Sequence, residues 1–161
     1  MLKVIQPPTP IPDLIEEFTV FLSGTIDMGN SINWQQQVID ALKERDINIV
    51  ILNPRRDDWD ASWKQEIGNA QFKGQVDWEL DGQYICDLNA MYYDPNSKSP
   101  ITLLELGLAA DSEKLVVCCP EGFYRKGNVD IVCERYAIDQ VDSLDALIEY
   151  IVNAYNETQS L

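Results

Sequence analysis

Four short apolar runs, separated by polar or amphipathic segments, constrain the fold of this chain more than any other sequence feature. The runs cover residues 18–23, 47–52, 87–93 and 114–119. Each run is continuous rather than alternating, which is typical of strands in a sheet that is covered on both faces. Because helical patterns separate the runs, the sequence predicts a parallel sheet with helices on both faces.

The predicted helices cover about 31–45, 71–84, 100–111, 127–136 and 143–157, and an edge strand is predicted near 137–141. Together these elements predict a single-domain α/β fold of the Rossmann or flavodoxin type, doubly wound, with about five parallel strands. Residues 1–17 contain four prolines, so we expect an extended arm ahead of a domain over 18–161. The polar stretch 53–70 is long for a loop in a small domain, and such loops are usually functional or act as lids.

The absence of histidine restricts the chemistry of the chain. Its 161 residues fit one domain with one core. Without histidine, Ser-His-Asp and Cys-His catalysis are excluded. The four cysteines form no CxxC pair, so we expect buried thiols rather than a structural zinc site. We expect no cofactor. Nucleophilic or acid–base chemistry must come from carboxylates, Tyr, Lys, Cys or water.

The net charge of −15 restricts the partners of the chain. Such a surface repels nucleic acid and anionic lipid, so we expect a small-molecule ligand instead. A small anion is still compatible with this charge, because backbone N–H groups can make a pocket locally positive. No apolar stretch reaches the ~18 residues of a membrane span, and the first residues lack a secretory layout, so we expect a cytoplasmic protein.

Glu105 is the most conspicuous candidate for chemistry, because it is a single acid within an apolar helix start. Its carboxylate either turns toward a cleft or is solvated on an exposed helix face. In parallel sheets, ligands bind beyond the carboxyl ends of the strands. Those ends lie at 24–29, 53–58, 92–100 and 120–128, where polar residues collect.

Several segments together resemble the nucleoside 2-deoxyribosyltransferase-like family, which includes the 2'-deoxynucleoside 5'-phosphate N-hydrolases. Each motif alone is weak, but their order and spacing over roughly residues 18–140 are fairly specific. The matching segments are 21–25, 75–80, 87, 102–107, 114–117 and 127–130. The resemblance implies cleavage of the N-glycosidic bond of a (deoxy)nucleoside or nucleoside 5'-monophosphate, by hydrolysis or by transfer. A non-catalytic nucleotide-binding or sensor module on the same fold is the alternative.

By this resemblance, Glu105 is the nucleophile and forms a covalent glycosyl-enzyme ester with the anomeric carbon. Glu79 is the second acid, at a position where the family has an aspartate. Asp77 is its competitor, and the two side chains point about 200° apart on a helix. The resemblance also implies that Asp87 lies at the substrate site.

The remaining candidates contact the sugar or phosphate by the same resemblance. Ser99 corresponds to a phosphate-binding serine, although it also suits a helix N-cap. Gly24, Thr25 and Asp27 form the loop after the first predicted strand, where an aromatic residue of the family is absent. Asn128 and Asp130 come from a neighbouring subunit, which implies a homodimer or a higher homo-oligomer; a simple helix cap is the alternative.

Overall fold

The polypeptide forms one sheet of parallel strands, connected and covered by helices. The computed structural model describes residues 1–27 and 31–160, and within them there are six strands and five helices. The strands are β1 (Lys3–Ile5), β2 (Phe18–Gly24), β3 (Ile49–Leu52), β4 (Leu88–Tyr92), β5 (Leu115–Cys118) and β6 (Asp139–Val141). The helices are α1 (Trp34–Lys43), α2 (Ala70–Ile85), α3 (Pro100–Ala109), α4 (Lys126–Arg135) and α5 (Leu144–Gln159).

The strand order is β1-β3-β2-β4-β5-β6, and every neighbouring pair is parallel. The chain moves from β2 to β3 on one side and then returns to place β4 on the other side of β2. This reversal makes a topological switch point beside β2. In open α/β sheets a ligand crevice forms at such a point, outside the carboxyl ends of the strands.

The predicted α/β class is confirmed, but the sheet has six strands rather than about five. The additional strand is β1, which pairs with β3 in the register Lys3 to Val50. It lies inside the segment that we expected to be an extended arm. Three residues followed by a proline-rich stretch give too short a pattern to distinguish a strand from an arm.

Alternate residues of the strands enter different cores on the two faces of the sheet, as the pleat requires. Val20 and Leu22 pack with α1 and α5, whereas Phe21 lies on the opposite face with Trp78 of α2. The same opposite face also carries Met91 and Tyr93 against α3 and α4. Both faces are therefore apolar, which explains the continuous apolar runs of the sequence.

The segment 1–17 packs on the domain. Ile11 and Ile15 contact the cluster around Phe21, and the indole N–H of Trp78 donates to the carbonyl of Thr9 at 2.8 Å. The segment therefore packs against the buried side of α2, next to Trp78 and Phe21. No helix in the described part of the chain is both long and apolar enough to cross a bilayer.

Candidate active site

A cavity of about 550 Å³ opens at the carboxyl ends of β2 and β3, between α2 and α3. It lies at the switch point described above. Its walls come from residues 23–27, from the loop after β3, from the inner side of α2 and from the first two turns of α3. A volume of this size is typical of small-molecule sites.

Glu105 faces this cavity from α3 with only 8% of its surface exposed. One of its carboxylate oxygens, Oε1, accepts a hydrogen bond from Nε2 of Gln83 at 2.9 Å. Its neighbour Leu106 packs into the core. One side of α3 therefore faces the core, and the side that carries Glu105 faces the cavity. The cleft-facing alternative therefore describes Glu105, and the solvated alternative does not.

Glu79 lines the same cavity from α2. Its Oε1 accepts a hydrogen bond from Nε2 of Gln75 at 2.6 Å, and the same amide group donates to the carbonyl of Pro54 at 3.0 Å. Asp77 points to solvent, where it pairs with Lys73. Of the two competing acids, the structure brings Glu79 and not Asp77 to the cavity.

Burial raises the pKa values of both cavity carboxyls. The pKa of Glu105 rises to about 8, first because its charged form is poorly hydrated and second because Glu79 is nearby. The pKa of Glu79 rises to about 7, mainly through burial. The amide hydrogen bonds from Gln83 and Gln75 oppose these rises by stabilising the carboxylate forms. Near neutral pH, two interacting carboxyls of this kind share about one proton.

Hydroxyl groups form the other polar end of the cavity. Thr25 Oγ1 accepts the backbone N–H of Asp94 at 2.9 Å and is hydrogen-bonded to Ser99 Oγ. Ser99 Oγ is also 3.1 Å from Ser97 Oγ. Ser99 precedes α3 in the left-handed region, with φ of 45°, and its side chain does not cap the helix. Its hydroxyl therefore faces Thr25 rather than the N–H groups of α3, so the N-cap alternative does not describe its side chain.

Gly24 allows β2 to approach β4 closely at the cavity floor. Its φ is +144°, and a Cβ atom there would lie 2.2 Å from the carbonyl oxygen of Tyr92. Thr25 continues this contact, because its N–H donates to the same carbonyl at 3.0 Å. The carbonyl of Thr25 in turn accepts the indole N–H of Trp34 at 2.9 Å. Asp27 follows on the exposed edge of the cavity.

Aromatic side chains from the loop after β3 and from the start of α2 form a further part of the cavity wall. Trp59 and Phe72 line the cavity, and Trp59 contacts Trp63 edge-to-face at 5.0 Å. Arg56 also lines it, binds Asp58 through two hydrogen bonds of 2.8 Å and lies over the Trp63 ring. The long polar loop that the sequence singled out therefore supplies part of the site.

Three of the predicted site residues are not brought to this cavity. Asp87 lies ahead of β4, at the opposite end of the sheet, where its carboxylate accepts the backbone N–H of Thr19 at 2.8 Å. Asn128 is exposed on α4. Asp130 lines a second, shallower cleft beside β6 and binds Lys126 at 3.0 Å. Asp87 thus connects two strands, while the predicted contribution of Asn128 and Asp130 to a neighbouring subunit's site stays a prediction.

Gln75 and Gln83 are site residues that the sequence analysis missed. Together with Glu79 they are spaced by four residues on α2, so all three lie on one stripe of the helix. This spacing is the sequence feature that could have identified the two glutamines as neighbours of the site. The hydrophobic pattern of α2 is weak, however, and glutamines at such spacing are usually solvated. Gln75 meets Glu79 within α2, whereas only the packing of α2 against α3 gives Gln83 its carboxylate partner, Glu105.

The four cysteines are free and buried. Cys86 packs beside Trp78, and Cys118, Cys119 and Cys133 lie in the cores around β5. In the described part of the chain, no group of three or more potential metal ligands comes together.

The fold of this chain and its sequence were each compared with known proteins. A crystal structure of a conserved protein from Enterococcus faecalis V583 is similar, with a TM-score of 0.58 and 13% sequence identity. The similarity covers 86% of this chain and 99% of that chain, and at this identity it concerns the fold alone. No curated protein matches the sequence significantly. The family model described as "Nucleoside 2-deoxyribosyltransferase like" matches residues 17–123, which is well over half of the chain. The chain therefore belongs to the nucleoside 2-deoxyribosyltransferase-like family.

Proposed function

We propose that this protein cleaves the N-glycosidic bond of a (deoxy)nucleoside or nucleoside 5'-monophosphate through a covalent glycosyl-Glu105 intermediate. The observation that carries the proposal is the pair of carboxyls of buried Glu105 and half-buried Glu79, which line one cavity at the switch point of the sheet. Membership of the nucleoside 2-deoxyribosyltransferase-like family supports glycosyl transfer on nucleosides as the general chemistry.

The proposed reaction has two steps. In the first, a carboxylate oxygen of Glu105 bonds to the anomeric carbon, the carbon–nitrogen bond breaks, and its electron pair stays on the base. Protonated Glu79 gives its proton to the departing base. In the second step, water or a second base attacks the anomeric carbon, Glu79 takes back a proton, and the ester bond to Glu105 breaks. Water gives hydrolysis and a base gives transfer.

The pKa values place the titration of the pair near neutral pH. Burial raises the pKa of Glu105 to about 8 and that of Glu79 to about 7, so in the free protein the shared proton lies mainly on Glu105. The proposed reaction requires this proton to move to Glu79 when substrate binds. The positive charge that develops on the sugar favours the anion beside the anomeric carbon, which is Glu105, and therefore favours that transfer.

The remaining walls suit the parts of a nucleotide. Trp59 and Phe72 offer flat apolar faces to a base. Thr25 and Ser99 offer hydroxyls to the 5' end of the sugar or to its phosphate. The N-terminus of α3 and the Arg56 side chain at the cavity wall favour an anion in this otherwise acidic protein.

We propose further that the active form is a homodimer or a higher homo-oligomer. Four apolar side chains on the cavity rim are 44–63% exposed: Leu80, Ile101, Leu104 and Leu108. An apolar rim of this kind on a chain of net charge −15 supports an interface with a second copy. Asn128 and Asp130, which lie away from their own cavity, are then available to the cavity of the neighbour.

Sedimentation tests this assembly. We expect the wild-type protein to sediment as a dimer or larger, and Leu108→Asp to shift it toward the monomer because a charge would be buried at the interface. Leu14→Asp, at another exposed leucine that lies in segment 1–17 and does not line the cavity, is the matched control. A monomeric wild type at micromolar concentration would remove Asn128 and Asp130 from the proposed site.

The free thiols support a cytoplasmic location for this activity. Cys118 and Cys119 are adjacent, buried and reduced, and unpaired cysteines are usual in reducing compartments. Fractionation of cells that express the tagged chain tests the proposal. Recovery in the soluble cytoplasmic fraction supports it, and recovery outside the cytoplasm contradicts it.

A substrate panel tests the activity itself. The protein is incubated with deoxynucleosides, ribonucleosides and their 5'-monophosphates, with and without a second free base, and the products are separated by chromatography. We expect wild type to release or exchange base. We expect the rate of Glu105→Gln to be at least a thousandfold lower. Glu157→Gln, an exposed site on α5, is the matched control. Identical traces for wild type and Glu105→Gln would refute the catalytic role.

A non-catalytic nucleotide-binding module is the second candidate. Glu79 at the family's aspartate position and the missing aromatic residue after β2 are the departures that favour it. A thermal-shift screen separates the two functions. Nucleotides that raise the melting temperature and are recovered intact after long incubation indicate a sensor. Nucleotides that are consumed indicate the enzyme.

A further inference from the structure

Gln83 is the direct protein partner of the Glu105 carboxylate on α2. Its amide Nε2 lies 2.9 Å from Oε1 of Glu105, and the bond joins α2 to α3 across the inner end of the cavity. The hydrogen bond is partly buried, and Gln83 itself is half-buried. Two turns earlier on the same stripe, Gln75 makes the equivalent contact with Glu79.

We propose that Gln83 is a positioning residue that holds one oxygen of Glu105 and leaves the other oxygen directed at the anomeric carbon. This inference rests on the proposed function, because it presupposes Glu105 as the nucleophile. The chemistry of an amide suits the task. The N–H group donates to a carboxylate, does not titrate and cannot remove or supply the proton of its partner. It therefore fixes the rotamer of Glu105 without competing for its proton.

The proposal also concerns the ionised fraction of Glu105. The titratable groups that face it are Glu79 from α2 and Tyr93, the residue directly after β4, and burial raises the pKa of Tyr93, so this side chain stays neutral. Arg56 and Asp27 lie farther out on the cavity wall. Burial and Glu79 both raise the pKa of Glu105, whereas the hydrogen bond from Gln83 lowers it. Removal of the bond should leave less ionised nucleophile at a given pH.

Two substitutions with opposite expected effects test the role. Gln83→Met keeps the length of the side chain and removes the donor, while Gln83→Lys keeps a donor and adds a positive charge beside Glu105. Gln71→Met, an exposed site in the first turn of the same helix, is the matched control. A purely structural contribution of Gln83 would make both variants less stable but would not shift the ionisation of Glu105 in opposite directions.

The first readout needs no turnover. The side-chain carboxyl carbons of glutamate are labelled with carbon-13, and the Glu105 signal is identified by its loss in Glu105→Gln. We expect the pKa of Glu105 to rise by about one unit in Gln83→Met, a tenfold change in proton affinity. We expect it to fall in Gln83→Lys and to stay constant in Gln71→Met. An unchanged pKa in both Gln83 variants would overturn the proposal.

The second readout is the pH profile of base release. In Gln83→Met the acid limb should move to higher pH, and kcat should fall about tenfold to a hundredfold with KM changed less than twofold.

If Gln83→Met does not fold, an unshifted acid limb in Gln83→Lys overturns the proposal. If wild type releases no base but the carbon-13 shifts occur, the proposed function fails and the contact of Gln83 with Glu105 stands. If base is released and neither readout moves, the role of Gln83 fails alone.

Discussion

Glu105→Gln is expected to make the folded protein more stable at neutral and higher pH. The native carboxyl has a pKa near 8, raised chiefly by burial, whereas the ordinary value is 4.5. Between these two values the native state keeps a proton that the unfolded chain has lost. Raising the pH through this window therefore weakens the folded state, and glutamine, which does not titrate, removes that loss.

The magnitude follows from the width of the window. Each pH unit in which the folded state holds one extra proton changes the free energy of unfolding by about 1.4 kcal/mol. From the ordinary value to pH 7 this gives a gain of about 3 kcal/mol for Glu105→Gln, as an upper bound, since water in the cavity hydrates part of the charge. For a chain of this size, a gain of this order raises the melting temperature by about 5–10 °C.

Urea or thermal unfolding at several pH values measures this effect. The advantage of Glu105→Gln over wild type should be near zero at pH 4.5, grow steadily with pH and level off above pH 8. The glutamine amide can still accept the hydrogen bond from Gln83, so the variant loses little packing. Glu157→Gln on exposed α5 should change stability by less than about 0.5 kcal/mol at every pH. An advantage that is independent of pH would refute the burial argument.

Three further substitutions probe the other walls of the cavity. Ser99→Ala should raise KM for nucleoside 5'-monophosphates about tenfold and leave KM for the free nucleosides nearly unchanged, as steady-state kinetics would detect. Trp59→Leu should raise KM about tenfold for both classes, because it removes a stacking face for the base; equal kinetics would exclude that role. Gly24→Ala should cost about 3 kcal/mol or more of stability in urea, because its Cβ would lie 2.2 Å from the carbonyl of Tyr92; wild-type stability would contradict this contact.

The parts of the fold that depend on long, continuous patterns could be predicted from the sequence. The runs that became β2, β3, β4 and β5 are apolar on both faces, and this pattern arises only when helices cover both sides of a sheet. The strand β1 could not be predicted, because three residues carry almost no periodicity. Its position is set by the free edge of β3, a tertiary property.

The candidate site, like the fold, could be predicted from the sequence only in part. Glu105 could be found because an acid among leucines is costly unless it faces a cavity. The preference for Glu79 over Asp77 came from the family resemblance, and helix geometry added only that the two side chains do not both face the cavity. The partners of these acids could not be predicted, since Gln83 meets Glu105 only when α2 and α3 pack together. Asp87 was predicted at the substrate site from its place in the motif. The structure places it ahead of β4 instead, where its carboxylate accepts the backbone N–H of Thr19.

The most direct test of the account is mass spectrometry of the protein after rapid acid quenching with substrate. We expect a mass increase of one glycosyl group, or one glycosyl phosphate group, on the peptide that contains Glu105. The adduct should disappear when a second base is added or when the reaction runs to completion, and Glu105→Gln should never form it. Base release without any adduct on Glu105, or an adduct on another residue, would contradict the central claim.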